Sequence, residues 1–452
     1  MPHPSRPPTS RLASPGPRAV DPAVAATCAL APPSHRLENA ATGALVPSAN
    51  TGFRLDDPAG PGLLRAVYDE ADFVVEPAQP GLFRYRRWLP ARRVLDGAPG
   101  PVVWRADALG ARLGLRALWV AFTGWCPARG AFARTGTFKE LAACAVLAAW
   151  PRGETRAMVV ASAGSTARAM LYLASRHERP VVVVVPERAL PALADVGSRG
   201  PRTRVVTLAE PATYGDAIAV AGALAARPGY FPEGGARNVA RRDGLGTALL
   251  AAVEAIGHLP DHYVQAVGSG TGAIGARDAA RRLTHAGIGG GPMRLHLVQN
   301  DAFCPIHRAW RARLAQPPRA RPPADLHAAV LSNARPPWAV GGGVREALEA
   351  TDGRTWIATA DEARAAGALF RACEGVDLHP AAEVGLAGLI HAARAGAIAP
   401  DEAVLFHATG GGLRARNATH PRVPVIPDRR VRGPFTDPAA LARRIDHRLE
   451  SP

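Results

Sequence analysis

Short apolar runs alternate with amphipathic segments along the chain from about residue 156. The runs are rich in β-branched residues, as in the consecutive valines of residues 181–185, and such runs are typical of buried strands. The predicted strands are 157–161, 180–186, 204–208, 262–267, 294–299, 355–358 and 403–407. The predicted helices are 166–176, 214–226, 244–256, 275–285, 361–373 and 379–394. This alternation predicts an α/β fold in which largely parallel sheets are covered by helices on both faces.

Three parts of the chain depart from this alternation. Residues 1–75 are rich in Pro, Ala and Ser with little periodicity, so we expect a leader without regular structure. The proline-rich residues 317–337 are expected to form a surface excursion. Beyond residue 419 the chain is basic and proline-rich, with one predicted helix at 438–449.

The composition argues against several classes of protein. No run approaches 18 consecutive apolar residues, so no membrane span is expected. The net charge of +16 comes from dispersed arginines, and aromatic residues are only 6% of the chain, which is unlike a nucleic-acid-binding surface. The cysteines are odd in number and lack CxxC spacing. This argues against a disulfide framework or a metal site and favours a reducing, cytoplasmic setting.

Lys139 is the only lysine in the chain, and arginine occupies all the others of its 54 Lys and Arg positions. Such a bias, as in a GC-rich gene, replaces lysine wherever any cation serves. The amine of lysine differs from a guanidinium because it can lose a proton near neutral pH and attack a carbonyl. The retained Lys139 is therefore a candidate catalytic residue.

Three loops rich in glycine or hydroxyl groups follow predicted strands. Residues 162–166 (SAGST) open a helix, although Ser and Thr are also typical of an ordinary N-cap. Residues 268–275 (GSGTGAIG) offer unobstructed backbone N–H groups at a helix start, which suits a phosphate dianion. Their Gly-x-Gly-x-x-Gly spacing would also fit a dinucleotide fold. Residues 407–412 (HATGGG) follow the last strand of the alternation, and alone they predict only a turn.

Together with the segment Thr135-Gly136-Thr137-Phe138-Lys139-Glu140, these loops stand in an order that resembles the fold-type II pyridoxal-phosphate (PLP) enzymes, the tryptophan synthase β and threonine synthase group. The resemblance runs from about residue 83 to residue 412. It implies two three-layer α/β/α domains and a homo-oligomer of undefined size. The implied division is a larger PLP-binding domain of residues 76–135 and 245–415, a smaller domain of residues 136–244, and a basic C-terminal extension of residues 416–452.

The resemblance also implies a role for each motif. Lys139 would bind PLP as a Schiff base and act as the general base at the substrate Cα. The residues implied to bind PLP are Lys139, Ser165, Gly268, Ser269, Gly270, Thr271, Gly272 and Thr409. Of these, residues 268–272 would hold the phosphate, and Thr409 would lie at the pyridine nitrogen. Ser162, Gly164 and Thr166 would bind the α-carboxylate of the substrate.

One position departs from the pattern of the group. Ser165 stands where these enzymes usually have an asparagine that touches both the cofactor and the substrate. Serine is shorter and has one hydrogen-bond donor fewer. This difference bears on the identity of the substrate more than on the cofactor.

Two upstream segments, residues 83–90 and 122–131, look like those of the cysteate synthases, which are relatives of threonine synthase. This similarity implies that sulfite replaces the phosphate of O-phospho-L-serine, giving L-cysteate. One alternative is a threonine synthase reaction on O-phosphohomoserine. Another is a β-replacement in specialised metabolism that joins O-phosphoserine or O-phosphothreonine to a different nucleophile, which Ser165 favours.

A dianionic leaving group and an anionic nucleophile both require cations close by. Arg134, next to the lysine motif, is the first candidate for binding these groups. Arg129 and Arg168 are the next candidates.

Other polar residues have structural interpretations that serve equally well or better. His379 and Glu383 lie in a segment that borders the cofactor in the resembled group, but a helix start explains them equally well. Cys304 and His307 have the i,i+3 spacing of a dyad, yet no third member of a triad is visible. We expect both to be ordinary loop and helix residues.

Overall fold

The computed structural model describes residues 32–47, 60–162, 164–194, 199–420 and 422–449. In chain order, the strands are β1 (His35–Asn39), β2 (Leu45–Pro47), β3 (Leu64–Tyr68), β4 (Val102–Arg105), β5 (Ala117–Phe122), β6 (Trp125–Cys126), β7 (Ala131–Phe132), β8 (Ala157–Ala161), β9 (Val181–Pro186), β10 (Thr203–Leu208), β11 (Tyr230–Pro232), β12 (His262–Ala266), β13 (Arg294–Asn300), β14 (Arg354–Ala358), β15 (Ala403–Ala408) and β16 (Arg429–Val431). The α-helices are α1 (Asp107–Leu113), α2 (Lys139–Ala148), α3 (Ser165–Arg176), α4 (Tyr214–Ala225), α5 (Val239–Ile256), α6 (Thr271–His285), α7 (Pro305–Arg311), α8 (Val344–Glu349), α9 (Ala360–Glu374), α10 (Pro380–Arg394), α11 (Leu413–Thr419) and α12 (Pro438–Leu449). Short 3-10 helices are Gly81–Trp88, Pro127–Arg129, Glu187–Leu193, Gly235–Arg237 and Ala329–Leu331.

The larger sheet has six strands in the order β14-β13-β12-β15-β5-β4. All neighbours are parallel except β4, which is antiparallel to β5. Consecutive residues of a strand face opposite sides of the sheet. Tyr263 therefore packs in the core formed with α5 and α6, whereas Val264 packs in the core formed with α9 and α10. This is the three-layer arrangement that the alternating pattern predicts.

The smaller sheet has five parallel strands in the order β11-β8-β9-β10-β16. The valine run of β9 lies near its centre. Val183 packs against the core that contains α2 and α3, while Val182 and Val184 pack against α4 and α12. Because helices cover both faces of the sheet, every residue of the valine run is buried and none has to be polar.

The predicted α/β fold is confirmed, and each predicted strand and helix from residue 157 onward is present. Element bounds differ most at α5, which begins at Val239 rather than at residue 244. Strands β4 and β5 and helix α2 were not predicted, because they lie before residue 156, where the recognised alternation begins. No helix in the described ranges is long and apolar enough to cross a membrane.

The prediction of an irregular leader is wrong for the part of residues 1–75 that the structure describes. Strands β1, β2 and β3 form an antiparallel sheet in the order β2-β1-β3. In β3, Leu64, Ala66 and Tyr68 are buried and alternate with partly exposed residues. This strand is short, and its period-two pattern is too brief to stand out in a proline-rich region. Residues 1–31 and 48–59 lie outside the described residues.

The C-terminal region does not form a separate extension. Strand β16 pairs in parallel with β10, and α12 packs on α4. Its predicted helix is present, but the region completes the smaller sheet and its outer layer. The domain boundaries at residues 135 and 244 stay a prediction.

Candidate active site

A cleft lies at the ends of the parallel strands β8, β12 and β15. In α/β proteins the loops that follow parallel strands commonly form the ligand site. The three loops singled out in the sequence leave these strands and meet here. The predicted residues that line the cleft are Lys139, Ser162, Gly164, Ser165, Thr166, Gly268, Ser269, Gly270, Thr271, Gly272 and Thr409.

Lys139 is the first residue of α2, and the backbone before it is fixed to the loop after β15. The N–H of Phe138 donates to the carbonyl oxygen of Thr409 at 2.9 Å, and Thr137 forms a β-bridge with Gly410. The lysine Nζ lies 4.1 Å from the centroid of the Phe138 ring. The sole lysine is thereby held against the loop that contains Thr409.

The environment of Lys139 favours its neutral amine. Burial and the positive charge of Arg241 lower the lysine pKa to about 7, although Glu233 acts in the opposite direction. A large fraction of the amine is therefore unprotonated at neutral pH, in contrast to an exposed lysine. Such an amine can attack a carbonyl and can accept a proton from carbon.

Glu140 organises the turn that leads into the lysine. Its buried carboxylate accepts hydrogen bonds from the backbone N–H groups of Arg134 and Thr135, the first at 3.0 Å. The guanidinium of Arg168 donates to the carbonyl oxygen of Thr135 at 2.5 Å. These bonds fix both peptide groups before the motif, so a carboxylate at position 140 has a structural role here.

The three arginines proposed from the sequence are not among the residues that line the cleft. Arg134 lies beside the ring of Trp125, at 5.8 Å from its centroid. Arg129 stacks on Trp104 at 4.3 Å. Arg168 supports the turn before the lysine. Their role in binding the anions therefore stays a prediction.

The loop after β8 presents the start of α3 to the cleft. The hydroxyl of Ser162 accepts hydrogen bonds from the N–H groups of Gly164 and Ala167, each at 3.0 Å, and so caps the helix. Gly164 has φ +143°, and a Cβ there would lie 2.9 Å from the side chain of Ala192. The N–H groups at a helix start attract an anionic group such as a carboxylate. Ala163 lies outside the described residues.

Glycines let the loop after β12 pack closely against neighbouring side chains. Gly270 has φ +78°, and a Cβ there would lie 2.4 Å from Val344. A Cβ on Gly272 would lie 2.5 Å from the side-chain amide nitrogen of Gln265. The loop leads into the 15-residue helix α6, whose first N–H groups suit a phosphate.

A buried hydroxyl in the cleft has no partner in the described part of the chain. The hydroxyl of Thr137 is buried, at 3% exposure for the residue, and forms no hydrogen bond there. Buried hydroxyl groups are rarely left without a partner. The cleft thus fits a ligand that carries both a phosphate and a carbonyl, as PLP does. The glycine loop before α6 suits the phosphate, the neutral amine of Lys139 suits the carbonyl, and the Thr137 hydroxyl offers a further hydrogen bond.

Sequence reasoning missed a second cation beside the lysine. Arg241 lines the cleft, and its Nε donates to Glu233 at 2.6 Å within a buried ion pair. Its two terminal NH₂ groups have no hydrogen-bond partner among the described residues. Nothing in the sequence distinguishes this arginine from the many others, because it lies in the first turn of a helix that was predicted to begin later.

The remaining residues that the sequence did not assign to the cleft come from several elements. They include Tyr214, Gln265 and Asn333. His379 also lines the cleft, as its place in a segment that borders the cofactor in the resembled group allowed. Asn333 belongs to the proline-rich segment, and Val330 and Leu331 line the cleft beside it. The prediction of a surface excursion is therefore wrong for this part of residues 317–337. Prolines indicate an irregular backbone, but they do not tell where it lies.

The Cys304 and His307 pair lies away from the cleft. The Cys304 thiol donates to the carbonyl oxygen of Asp301, and His307 Nδ1 lies 3.0 Å from the hydroxyl of Thr355. Glu383 accepts a hydrogen bond from His327 Nε2 at 2.9 Å. These contacts agree with the structural interpretation of the three residues.

Comparison with known proteins identifies the class to which this cleft belongs. The sequence signature described as "Pyridoxal-phosphate dependent enzyme" matches residues 103–410, and the chain belongs to this family. Its cofactor is pyridoxal phosphate. The chain is 42% identical to the cysteate synthase of Methanoregula boonei over 87% of its own length and 94% of that protein. It is 44% identical to the cysteate synthase of Methanosphaerula palustris over 84% of its length and 92% of the relative.

Solved structures show the same fold at low sequence identity. The serine racemase of Dictyostelium discoideum superposes with a TM-score of 0.53 and 18% identity, covering 69% of this chain and 91% of that one. The processed form of threonine deaminase isoform 2 from Solanum lycopersicum has a TM-score of 0.54 and 15% identity over 71% of this chain and 88% of that one. The fold-type II architecture is thus confirmed.

Proposed function

We propose that the chain is a PLP-dependent cysteate synthase, which replaces the phosphate of O-phospho-L-serine with sulfite and releases L-cysteate and phosphate. The observation that carries the proposal is the pairing of a neutral amine at Lys139 with the buried cation of Arg241 in one cleft. The amine suits chemistry at Cα, and the cation suits a phosphorylated substrate. The similarity to cysteate synthases over most of the chain supports the same reaction.

PLP would be held by Lys139, the loop 268–272 and Thr409, which all line the cleft. When bound, PLP withdraws electrons from the Cα of an amino acid and so makes its proton acidic. The first N–H groups of α3 bind the α-carboxylate. This places the substrate with its Cα toward Lys139 and its side chain in the space beside Arg241.

Lys139 accepts the proton when the Cα–H bond breaks. The Cβ–O bond then breaks, and the phosphate departs with its bonding electrons. Sulfite forms the new S–C bond at Cβ with its own electron pair, and Lys139 returns the proton to Cα. No net oxidation or reduction takes place. One amine acts as base and then as acid, which requires a pKa near the working pH.

Arg241 has a separate task in this scheme. Its terminal NH₂ groups form a planar fork that matches the oxygens of phosphate and of sulfite. Since the leaving group and the nucleophile pass through the same region, one cation serves both. The ion pair with Glu233 uses Nε and so fixes the orientation of the guanidinium.

The reaction is tested by measuring phosphate release and L-cysteate formation from O-phospho-L-serine with and without sulfite. We expect cysteate to accumulate only when both substrates are present. Parallel reactions with O-phosphohomoserine and O-phosphothreonine examine the alternatives, which the relatives do not favour. Threonine formed from O-phosphohomoserine, with no cysteate from O-phospho-L-serine, would overturn the proposal.

We infer that the protein works in the reducing cytoplasm as a homo-oligomer. The four cysteines in the described residues, Cys126, Cys144, Cys304 and Cys373, are free thiols. Free thiols fit a compartment in which disulfides do not persist. The oligomer is inferred from the family resemblance, and sedimentation equilibrium would test it, since a single monomeric species would contradict it.

A further inference from the structure

We propose that His379 is a substrate-binding residue whose neutral imidazole donates a hydrogen bond from Nε2 to an anionic oxygen of the amino acid in the cleft. This inference rests on the proposed function, because it assumes an amino-acid substrate with oxyanion groups. It adds a residue that reaches the cleft from α10.

The position of the imidazole is set by two elements. His379 precedes α10 and lines the cleft. Its backbone N–H donates to the carbonyl oxygen of Gly410 at 2.9 Å, and Leu378 forms a β-bridge with Gly411. The Cβ of His379 lies 3.2 Å from where a Cβ of Gly410 would be. The residue is thereby fixed beside the loop that contains Thr409.

The tautomer of the imidazole follows from its role as a helix cap. Nδ1 accepts a hydrogen bond from the backbone N–H of Ala381 at 3.1 Å. A neutral imidazole that accepts at Nδ1 carries its proton on Nε2. The cap therefore makes Nε2 a donor, and this donor belongs to a ring that lines the cleft.

The charge state of the ring is neutral at physiological pH. Burial lowers the pKa of His379 to about 3, and the positive charge of Arg168 and His327 adds to this effect. His327 is itself engaged by the carboxylate of Glu383. The ring therefore stays neutral, and with Nδ1 occupied by the Ala381 N–H the proton stays on Nε2.

The Nε2–H of His379 has no hydrogen-bond partner among the described residues. Donors in partly enclosed sites are usually satisfied, by protein, water or ligand. Unlike Arg241, a neutral donor orients the substrate through a directional hydrogen bond without adding a positive charge to the cleft. The oxyanion that it meets is either the α-carboxylate or the side-chain anion of the substrate, and the ligands of the test separate the two.

Two substitutions separate the role of His379 as a helix cap from its role as a hydrogen-bond donor. His379→Asn keeps a good N-cap acceptor but is too short to replace Nε2. His379→Gln places an amide NH₂ near the position of Nε2 and is a poor cap. The measurements on the PLP-loaded proteins are the visible absorbance of the cofactor, the melting temperature, and the Kd of L-cysteate and of L-serine by calorimetry. L-serine has the α-carboxylate and lacks the side-chain anion.

We expect His379→Asn to keep the cofactor absorbance and the melting temperature, and to weaken L-cysteate binding about 10- to 100-fold, as for a lost hydrogen bond to a charged group. His379→Gln should melt lower and bind L-cysteate within a few-fold of the wild type. Weaker binding of L-serine as well as L-cysteate identifies the α-carboxylate as the acceptor. Weaker binding of L-cysteate alone identifies the side-chain anion.

Unchanged binding of both ligands by His379→Asn would overturn the inference and leave His379 as a helix cap only. This outcome is distinct from failure of the proposed function. In that case the wild-type protein itself would neither bind L-cysteate nor form it from O-phospho-L-serine and sulfite, and both proposals would fall together.

Discussion

The guanidinium of Arg241 and the carboxylate of Glu233 form a buried ion pair at 2.6 Å, and both charges act on the amine of Lys139. Arg241 lowers the lysine pKa, whereas Glu233 raises it. A buried ion pair contributes little to stability when its desolvation is counted. Here it holds a guanidinium with free terminal NH₂ groups at the edge of a reactive cleft.

Arg241→Gln should raise the KM for both O-phospho-L-serine and sulfite by about 10- to 100-fold, because each anion loses a charge-assisted hydrogen bond. The measurement is steady-state kinetics with each substrate varied in turn. Arg237→Gln is the matched control, since Arg237 is exposed and lies one turn earlier in the same segment. An equal effect of both substitutions would point to the overall positive charge of the protein rather than to a site at Arg241.

Lys139→Ala and Lys139→Arg should both abolish the visible absorbance of the bound cofactor and lower kcat by about 10³-fold or more. Arginine keeps the positive charge but neither attacks a carbonyl nor accepts a proton at neutral pH. The pair of variants therefore separates charge from nucleophilicity. Retained absorbance and activity in Lys139→Arg would show that the lysine supplies only a cation.

The sequence predicted the reactive residue and the three loops because each has a local signature. Lys139 is unique in composition, and the loops combine glycine or hydroxyl residues with the end of a strand. Arg241 has no such signature, and a helix start explained the segment of His379 equally well. Arg241 and His379 are brought to the site by the first turns of α5 and α10, which only the packing of the helices determines.

In the fold, too, long elements could be predicted from the sequence and short ones could not. Strands buried on both faces, such as β9, have continuous apolar runs that are recognisable in one sequence. Strands of three residues, such as β2 and β16, are stabilised by their neighbours in the sheet rather than by their own pattern. The terminal strands were therefore not predicted, although β1, β2 and β3 form a sheet of their own and β16 joins the smaller sheet.

Gly272→Ala should weaken binding of the cofactor and lower the melting temperature, because the new methyl group would lie 2.5 Å from the amide nitrogen of the buried Gln265. The cofactor Kd is measured by titration of the apoprotein. Gly222→Ala is the matched control, since Gly222 is an exposed helical glycine with open space around it. The control should be neutral or more stable by up to about 1 kcal/mol. Normal cofactor binding by Gly272→Ala would show that the glycine is not needed for room at the loop.

The rate at which the apoprotein takes up PLP should rise with pH and level off above a midpoint of about 7. The sign follows from the lowered pKa of Lys139, since the neutral amine that attacks the cofactor carbonyl predominates above this pKa. Stopped-flow absorbance over about two pH units on either side of the midpoint measures it. A midpoint near the ordinary lysine value of about 10.4 would contradict the assigned environment.

The same experiment on two variants tests the source of the shift. Arg241→Gln removes the positive charge and should move the midpoint to higher pH, whereas Glu233→Gln removes the negative charge and should move it to lower pH. Opposite displacements require that both charges act on the amine directly. A general loosening of the cleft would move both midpoints upward, because hydration of Lys139 favours its charged form.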